Sequence, residues 1–160
     1  MQDYQDQVLT ETVNDFELKQ IGVHKLAEWI MQKKENMILI DLRTIEQFHK
    51  YHIPSNKTIH FSMIEEEQIT GLTVIFYNNN EIDSFNLNRI KAMNPAIIYA
   101  LKGGIDNWRK FVLFPDLSYS SISDLESKRL KQISNYFGGQ PFIREQSQSK
   151  STNKFSREGC

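Results

Sequence analysis

The sequence predicts an α/β fold: a central, mostly parallel sheet of about five strands flanked by helices. Three observations lead there. Met37–Ile40 (MILI), Leu72–Tyr77 (LTVIFY) and Ala96–Leu101 (AIIYAL) are short, uncharged, apolar runs. Runs of that length without helical spacing read as strands buried on both faces, as in a parallel sheet. Between and before them lie stretches whose apolar residues recur at helical spacing.

In chain order, residues 1–15 are a polar, acidic lead-in with no assigned element. Residues 1–18 carry Asp3, Asp6, Glu11, Asp15 and Glu17 and no base. Phe16 to Ile21 reads as a first short strand. Val23, Leu26, Ala27, Ile30 and Met31 make one apolar helical face, with His24 off that face as a surface residue. Residues 33–36 form the turn into the Met37–Ile40 strand, which ends in Asp41-Leu42-Arg43. Thr44 with Gln47 forms a capping box and opens a short helix through Lys50. Pro54 disfavours helical geometry in the residue before it, so His52-Ile53-Pro54 ends that helix. Thr58–Phe61 reads as another short strand. Ser62 and Glu65 suit a second capping box, with one short helix over Met63–Ile69. The acids Glu65, Glu66 and Glu67 read as its solvated face rather than as a metal site.

Leu72–Tyr77 is the strongest strand signal, β-branched and aromatic and bounded by Gly71 and an Asn run; it is predicted to be central. The loop after it is Asn78-Asn79-Asn80-Glu81-Ile82-Asp83. It reads as a turn in which asparagines take the left-handed backbone that glycine usually supplies. A repurposed binding loop is the alternative. A helix from about Ser84 to Met93 ends at Asn94-Pro95. The Ala96–Leu101 strand then runs into Lys102-Gly103-Gly104-Ile105-Asp106-Asn107-Trp108. Glycine supplies a turn there that side chains would block, and Trp108 is expected to cover the sheet edge.

Two motifs, Asp41-Leu42-Arg43 with a short Phe48 helix and His52-Ile53-Pro54, and about sixty residues later Gly103-Gly104 with Trp108, together resemble the rhodanese homology domain. That family includes sulfurtransferases, Cdc25-type phosphatases and non-catalytic modules. The resemblance covers about residues 16–116 and implies the family's three-layer fold. It makes Asp41, Arg43, His52, Pro54, Gly103, Gly104 and Trp108 scaffold residues. Tyr51 and Ser55 stand where the family usually has glycine.

The resemblance also implies where a catalytic cysteine belongs: directly after Leu72–Tyr77, as a thiolate held by backbone amides and a helix N-terminus. Asn78 stands there, or Tyr77 if the alignment slips by one residue. No Arg, Lys, Ser or Thr lies between Asn78 and Asp83. Glu81 and Asp83 disfavour an anion in the loop by on the order of 1 kcal/mol each. Nucleophile and electrostatics are therefore both lost, and no catalytic residue is assigned. The expected function is a non-catalytic module binding an unknown protein partner. The alternative is a sulfur-carrying enzyme or a phosphatase of the same superfamily, using another nucleophile such as Cys160. That thiol has an ordinary pKa unless basic neighbours activate it.

Beyond residue 116, Ser123 with Glu126 reads as a third capping box. Ile122, Leu125, Leu130, Ile133 and Phe137 follow at roughly helical spacing. Gly138-Gly139 and Pro141 end this helix, which is expected to dock on its own domain through Leu125, Leu130 and Ile133. The organisation is thus a lead-in over 1–15, a rhodanese-like domain over 16–116, a helical extension over 117–143 and a disordered basic tail over 144–160.

Net charge is −1, with ten Phe and one Cys. Near-neutral charge gives no bulk attraction to nucleic acid or membrane. A single cysteine excludes an internal disulfide framework and a cysteine-rich metal site. His49, His52 and His60 lack metal-ligand spacing, and no cofactor loop is visible. No stretch is long and apolar enough to span a bilayer, and the acidic start lacks a signal peptide's basic region, so a cytoplasmic setting is expected.

Overall fold

The computed structural model of the protein describes residues 10–13, 16–80, 84–119 and 121–143. Its strands are β1 (Thr10–Val13), β2 (Phe16–Ile21), β3 (Met37–Asp41), β4 (Thr58–His60), β5 (Thr73–Tyr77) and β6 (Ile97–Leu101). Its helices are α1 (Val23–Met31), α2 (Ile45–Lys50), α3 (Ser84–Ala92), the single-turn α4 (Gly104–Asn107) and α5 (Asp124–Tyr136). The strands form one sheet in the order β1-β2-β6-β5-β3-β4. Five of them, β2 to β6, run parallel, and β1 adds an antiparallel edge. The sequence supplied no element for β1. Four polar and β-branched residues become a strand there because Thr10 to Val13 pair with Phe16 to Lys19 in a tight hairpin.

β5 is central, between β3 and β6, as its composition predicts. Its side chains alternate between two cores because successive residues of a strand face opposite ways. Val74 and Phe76 join Ile38, Ile40, Leu87, Ile90 and Ile98 on the α3 side. Ile75 and Tyr77 join Leu39, Leu26, Trp108 and Ile133 on the α1 and α5 side. Full burial of one such side chain stabilises by roughly 1.5–3 kcal/mol, so the two layers dominate the fold's stability.

Helix α2 starts as its sequence specifies. The Thr44 side chain accepts from Gln47 N–H, and the Gln47 side chain accepts from Thr44 N–H. The region after β4 departs from expectation. Met63–Ile69 is not one helix but part of two 3₁₀ turns, Phe61–Met63 and Glu66–Gln68, with extended Ile64 between them. The reason is local: Ser62 is held by the His60 ring, which accepts its N–H (3.2 Å) and pairs with its hydroxyl (2.7 Å). Ser62 therefore caps nothing, and no helix propagates from it.

After α4 the chain widens into a π-helical turn, Trp108–Leu113, closed by Phe114 N–H donating to the Arg109 carbonyl (2.9 Å). Trp108 lies in the core on the α1 and α5 side of the sheet. It is fully buried, edge-on to Phe137, with its indole N–H donating to the Tyr51 hydroxyl (2.9 Å). An extension beyond the sheet thus makes an interior site of a residue that the motif alone leaves at the margin.

Helix α5 docks through Ile133 and Leu130 as the periodicity indicates, but not through Leu125. Ile133, Ser134 and Phe137 are buried, Leu130 is half-buried and Leu125 is 80% exposed. The Ser134 hydroxyl and Gln140 N–H both donate to the Leu113 carbonyl (2.8 and 2.7 Å), fixing the helix's C-terminal half against the π turn. Its first turn is tied instead by charge, with Arg129 paired to Glu28 of α1 and to Glu126. Ser123 caps Glu126 N–H, but the Glu126 carboxylate turns to Arg129, so only half of the capping box forms.

Candidate functional site

Open α/β sheets build their sites beyond the C-terminal ends of the strands. Here that end gathers Asp41 from β3, Asn78 after β5 and Gly103-Gly104 after β6. Asp41 lies opposite Tyr77 in the β3–β5 register, and Leu42 N–H donates to the Tyr77 carbonyl (2.9 Å). The two motifs far apart in sequence therefore meet at the start of the loop.

Asp41 and Arg43 form a buried pair. Arg43 N–H and Nε donate to Asp41 Oδ1 (2.9 and 3.0 Å), and Nη2 donates to Oδ2 (2.7 Å). Nη2 also donates to the Tyr51 carbonyl (2.6 Å), tying the end of α2 to β3. Burial works against the Arg43 charge, but the Asp41 carboxylate outweighs it and holds the guanidinium pKa above its ordinary value. The Arg43 carbonyl accepts from His60 Nε2–H (2.6 Å), which draws β4 into the same junction. Arg43 is thus spent on internal partners and is not presented as an anion receptor.

Two tyrosines complete the junction, and the sequence reading gave neither a role there. Tyr77 is buried, and its hydroxyl accepts from Ile53 N–H (3.1 Å), so it positions the His52-Ile53-Pro54 turn. Burial pushes its phenol pKa up, and the Asp41 carboxylate pushes it the same way. Tyr51 accepts from Trp108, and burial also raises its phenol pKa. Both remain neutral and poorly nucleophilic near neutral pH. The available sequence signal was a hydroxyl-bearing residue closing an otherwise apolar strand, because a buried phenol usually has a hydrogen-bond partner. His52 stacks on Phe48 (4.2 Å between centroids) and donates through Nδ1 to the Phe48 carbonyl (3.0 Å); neighbouring Pro54 is exposed.

The head of the loop is fixed by α4. Ile105 N–H donates to the Asn78 carbonyl (2.9 Å) and Asp106 N–H to the Asn79 carbonyl (3.1 Å). These amides open the helix and point away from its body, as the first N–H groups of any helix do. Loop carbonyls satisfy them here. Gly104 makes the approach possible, since a Cβ there would lie 2.4 Å from the Asn78 oxygen. The Asn78 side chain accepts from Asn79 N–H (2.9 Å). None of Asn78, Asn79 and Asn80 takes left-handed backbone, contrary to the turn expected for them; among the described residues the left-handed asparagines are Asn36 (φ 55°) and Asn94 (φ 52°). The α4 hydrogen bonds hold the loop head, so unusual asparagine backbone is not required there. Glu81, Ile82 and Asp83, assigned to the same loop, lie outside the described residues, as does Cys160.

Among the described residues, no group of three His, Cys, Asp or Glu side chains is arranged to hold a metal ion. Nor does any described helix have the length and apolar character to cross a membrane. A hollow of ≈ 290 Å³ is lined by Lys19, Lys91 and residues 94–98. It lies by the N-terminal end of β6, away from the loop. What the junction offers chemically is amide and hydroxyl hydrogen bonding at neutral groups, with its one buried ion pair internally satisfied.

Known proteins resemble parts of this chain. An uncharacterized protein of Buchnera aphidicola subsp. Baizongia pistaciae is 28% identical over 81 residues, 45% of this chain and 55% of that protein. The chain therefore spans about half the length of the curated relative it matches. Among solved structures, a Rhodopseudomonas palustris protein described as a possible tyrosine phosphatase superposes with a TM-score of 0.48 at 11% identity, over 57% of this chain and 80% of that one. The thiosulfate sulfurtransferase of Pseudomonas aeruginosa superposes with a TM-score of 0.46 at 19% identity, over 56% of this chain and 17% of that one. Residues 23–111, from α1 to the π turn and more than half of the sequence, match the Rhodanese-like domain family, and the chain belongs to it.

Proposed function

We propose that this rhodanese-like domain acts without group transfer, as a module that binds a protein partner. One observation carries the reading. Asn78 heads the loop after β5, and its carbonyl and that of Asn79 occupy the α4 amides. Sulfur transfer and phosphatase turnover on this scaffold pass through a covalent intermediate on a thiolate. An asparagine amide supplies no such nucleophile, and Glu81 and Asp83 oppose anionic substrates. The exposed Asn79 and Asn80 instead offer donors and acceptors suited to a peptide backbone or polar side chains. A reducing, cytoplasmic setting suits the single cysteine.

The test is turnover with thiosulfate and cyanide, and with a phosphate monoester. The purified protein is expected to show neither. Asn78→Cys alone is expected to recover little, because two nearby carboxylates raise the new thiol's pKa and lower its thiolate fraction. Asn78→Cys with Glu81→Gly and Asp83→Arg is expected to transfer more sulfur than the single variant. Turnover by the unmodified protein that disappears in Cys160→Ser would overturn the proposal in favour of an enzyme using that thiol.

A further inference from the structure

The sheet is open at one end of the seam between β2 and β6. β5 pairs with β6 from its first residue, with Thr73 opposite Ile97 and Val74 opposite Ile98. β2 joins β6 only at Tyr99, opposite Lys19. Ile97 and Ile98 therefore have a ladder partner on the β5 edge alone. Ile97 accordingly keeps 38% exposure, although β6 is an interior strand of the sheet. The hollow of ≈ 290 Å³ sits at this opening, lined by Lys19 of β2, Lys91 of α3 and residues 94–98. Its volume is near the lower end of the range for small-molecule sites.

The wall of the hollow is fixed and its charge has one sign. Asn94 takes left-handed backbone (φ 52°). Its N–H donates to the Lys91 carbonyl (3.2 Å), and its carbonyl accepts from Gly71 N–H (3.0 Å). Ala96 N–H donates to the Leu72 carbonyl (2.9 Å), so the turn from α3 into β6 is tied on both sides of Pro95. Among the described residues, the ionisable side chains of the lining are the two lysines, and no carboxylate joins them. Pro95, Ala96, Ile97 and Ile98 supply apolar surface beside them.

We propose that this hollow binds a small organic anion. Its carboxylate or phosphate head is held by Lys19 and Lys91, and its apolar body lies on Pro95, Ala96 and Ile97. Ammonium groups make charge-assisted hydrogen bonds to such a head. A wall already tied in place keeps the ordering cost of binding small. The hollow lies at the strand-start end of the sheet, opposite the Asn78 loop, so the proposal is independent of whether that loop is catalytic.

The test is a titration of the isotope-labelled full chain with benzoate and with phenyl phosphate, followed by amide chemical shifts. Inorganic phosphate presents the head alone and benzyl alcohol the body alone. The expected result is saturable shifts centred on Lys19 and residues 94–98, with each control binding about tenfold more weakly. Lys19→Gln and Lys91→Gln are each expected to weaken phenyl phosphate about fivefold or more. Ala96→Phe fills the hollow and is expected to abolish binding. An unchanged melting temperature shows that each variant is folded, and if one unfolds the other two carry the test. The absence of saturation in the millimolar range overturns the proposal. So do shifts centred on Asn78–Asn80, or binding indifferent to the three substitutions. Inorganic phosphate binding as tightly as phenyl phosphate overturns the apolar subsite, and benzyl alcohol binding as tightly as benzoate overturns the anion subsite.

Discussion

A methyl group added to Gly104 would lie 2.4 Å from the Asn78 carbonyl oxygen and 2.5 Å from that of Asn79. Both obstacles are backbone, and the residue's φ of 58° is itself costly for any side chain. Gly104→Ala is therefore expected to lose about 2–4 kcal/mol, combining left-handed strain with overpacking. Urea denaturation gives the loss directly; an unchanged midpoint would mean that the loop head and α4 can separate freely. Asp41 and Arg43 pose a different question, because each is buried and each is the other's counter-charge. Asp41→Asn strands a guanidinium in the interior and is expected to cost about 3–5 kcal/mol. Asp41→Leu with Arg43→Met removes both charges and is expected to recover part of that loss. A double-mutant cycle by thermal unfolding separates the cases, and a double variant worse than Asp41→Asn would contradict this account of the pair.

Helix α5 shows where periodicity helps and where it fails. Spacing placed the helix and its Ser123 cap, and Ile133 is buried as expected. It could not reveal that Glu28 would bind Arg129 and hold the first turn by charge, leaving Leu125 in solvent. Phe137→Ala is expected to destabilise by about 3–5 kcal/mol, since the ring is buried against Trp108. Leu125→Ala is expected to stay within about 0.5 kcal/mol of wild type. Deleting residues 117–160 removes Leu117, Ile133 and Phe137 from the core together, and the melting temperature is expected to fall. An unchanged melting temperature would mean that α5 contributes nothing to the domain. The 3₁₀ turns after β4 were illegible for a similar reason: Ser62 is a good cap residue by type, but the ring of His60 engages it first. Tertiary partners decide such cases, and short-range sequence rules do not contain them.

At the scale of the molecule, the parallel sheet was legible because its strands are apolar runs with few alternatives. β5 occupies the centre that its composition demands. The junction at the strand ends was legible only in part. Asp41-Leu42-Arg43 and Gly103-Gly104 are sequence motifs, whereas the tyrosine partners Ile53 N–H and Trp108 emerge only when distant segments are brought together. The strand order carries a consequence for the time course of folding. β2 is an early strand, yet its parallel neighbour is β6: Lys19 pairs with Tyr99 and Ile21 with Leu101. A nascent chain leaving the ribosome can join β3, β4 and β5 as they emerge, but β2 must wait for residues nearly at the end of the matched domain. Closing so long a loop is entropically slow, and contacts this distant in sequence retard folding. Until β6 emerges, β2 therefore has only β1 beside it, and its other edge, near Leu18 and Ile21, stays unpaired, so the hazard of misassociation falls on the youngest chains rather than on the finished molecule.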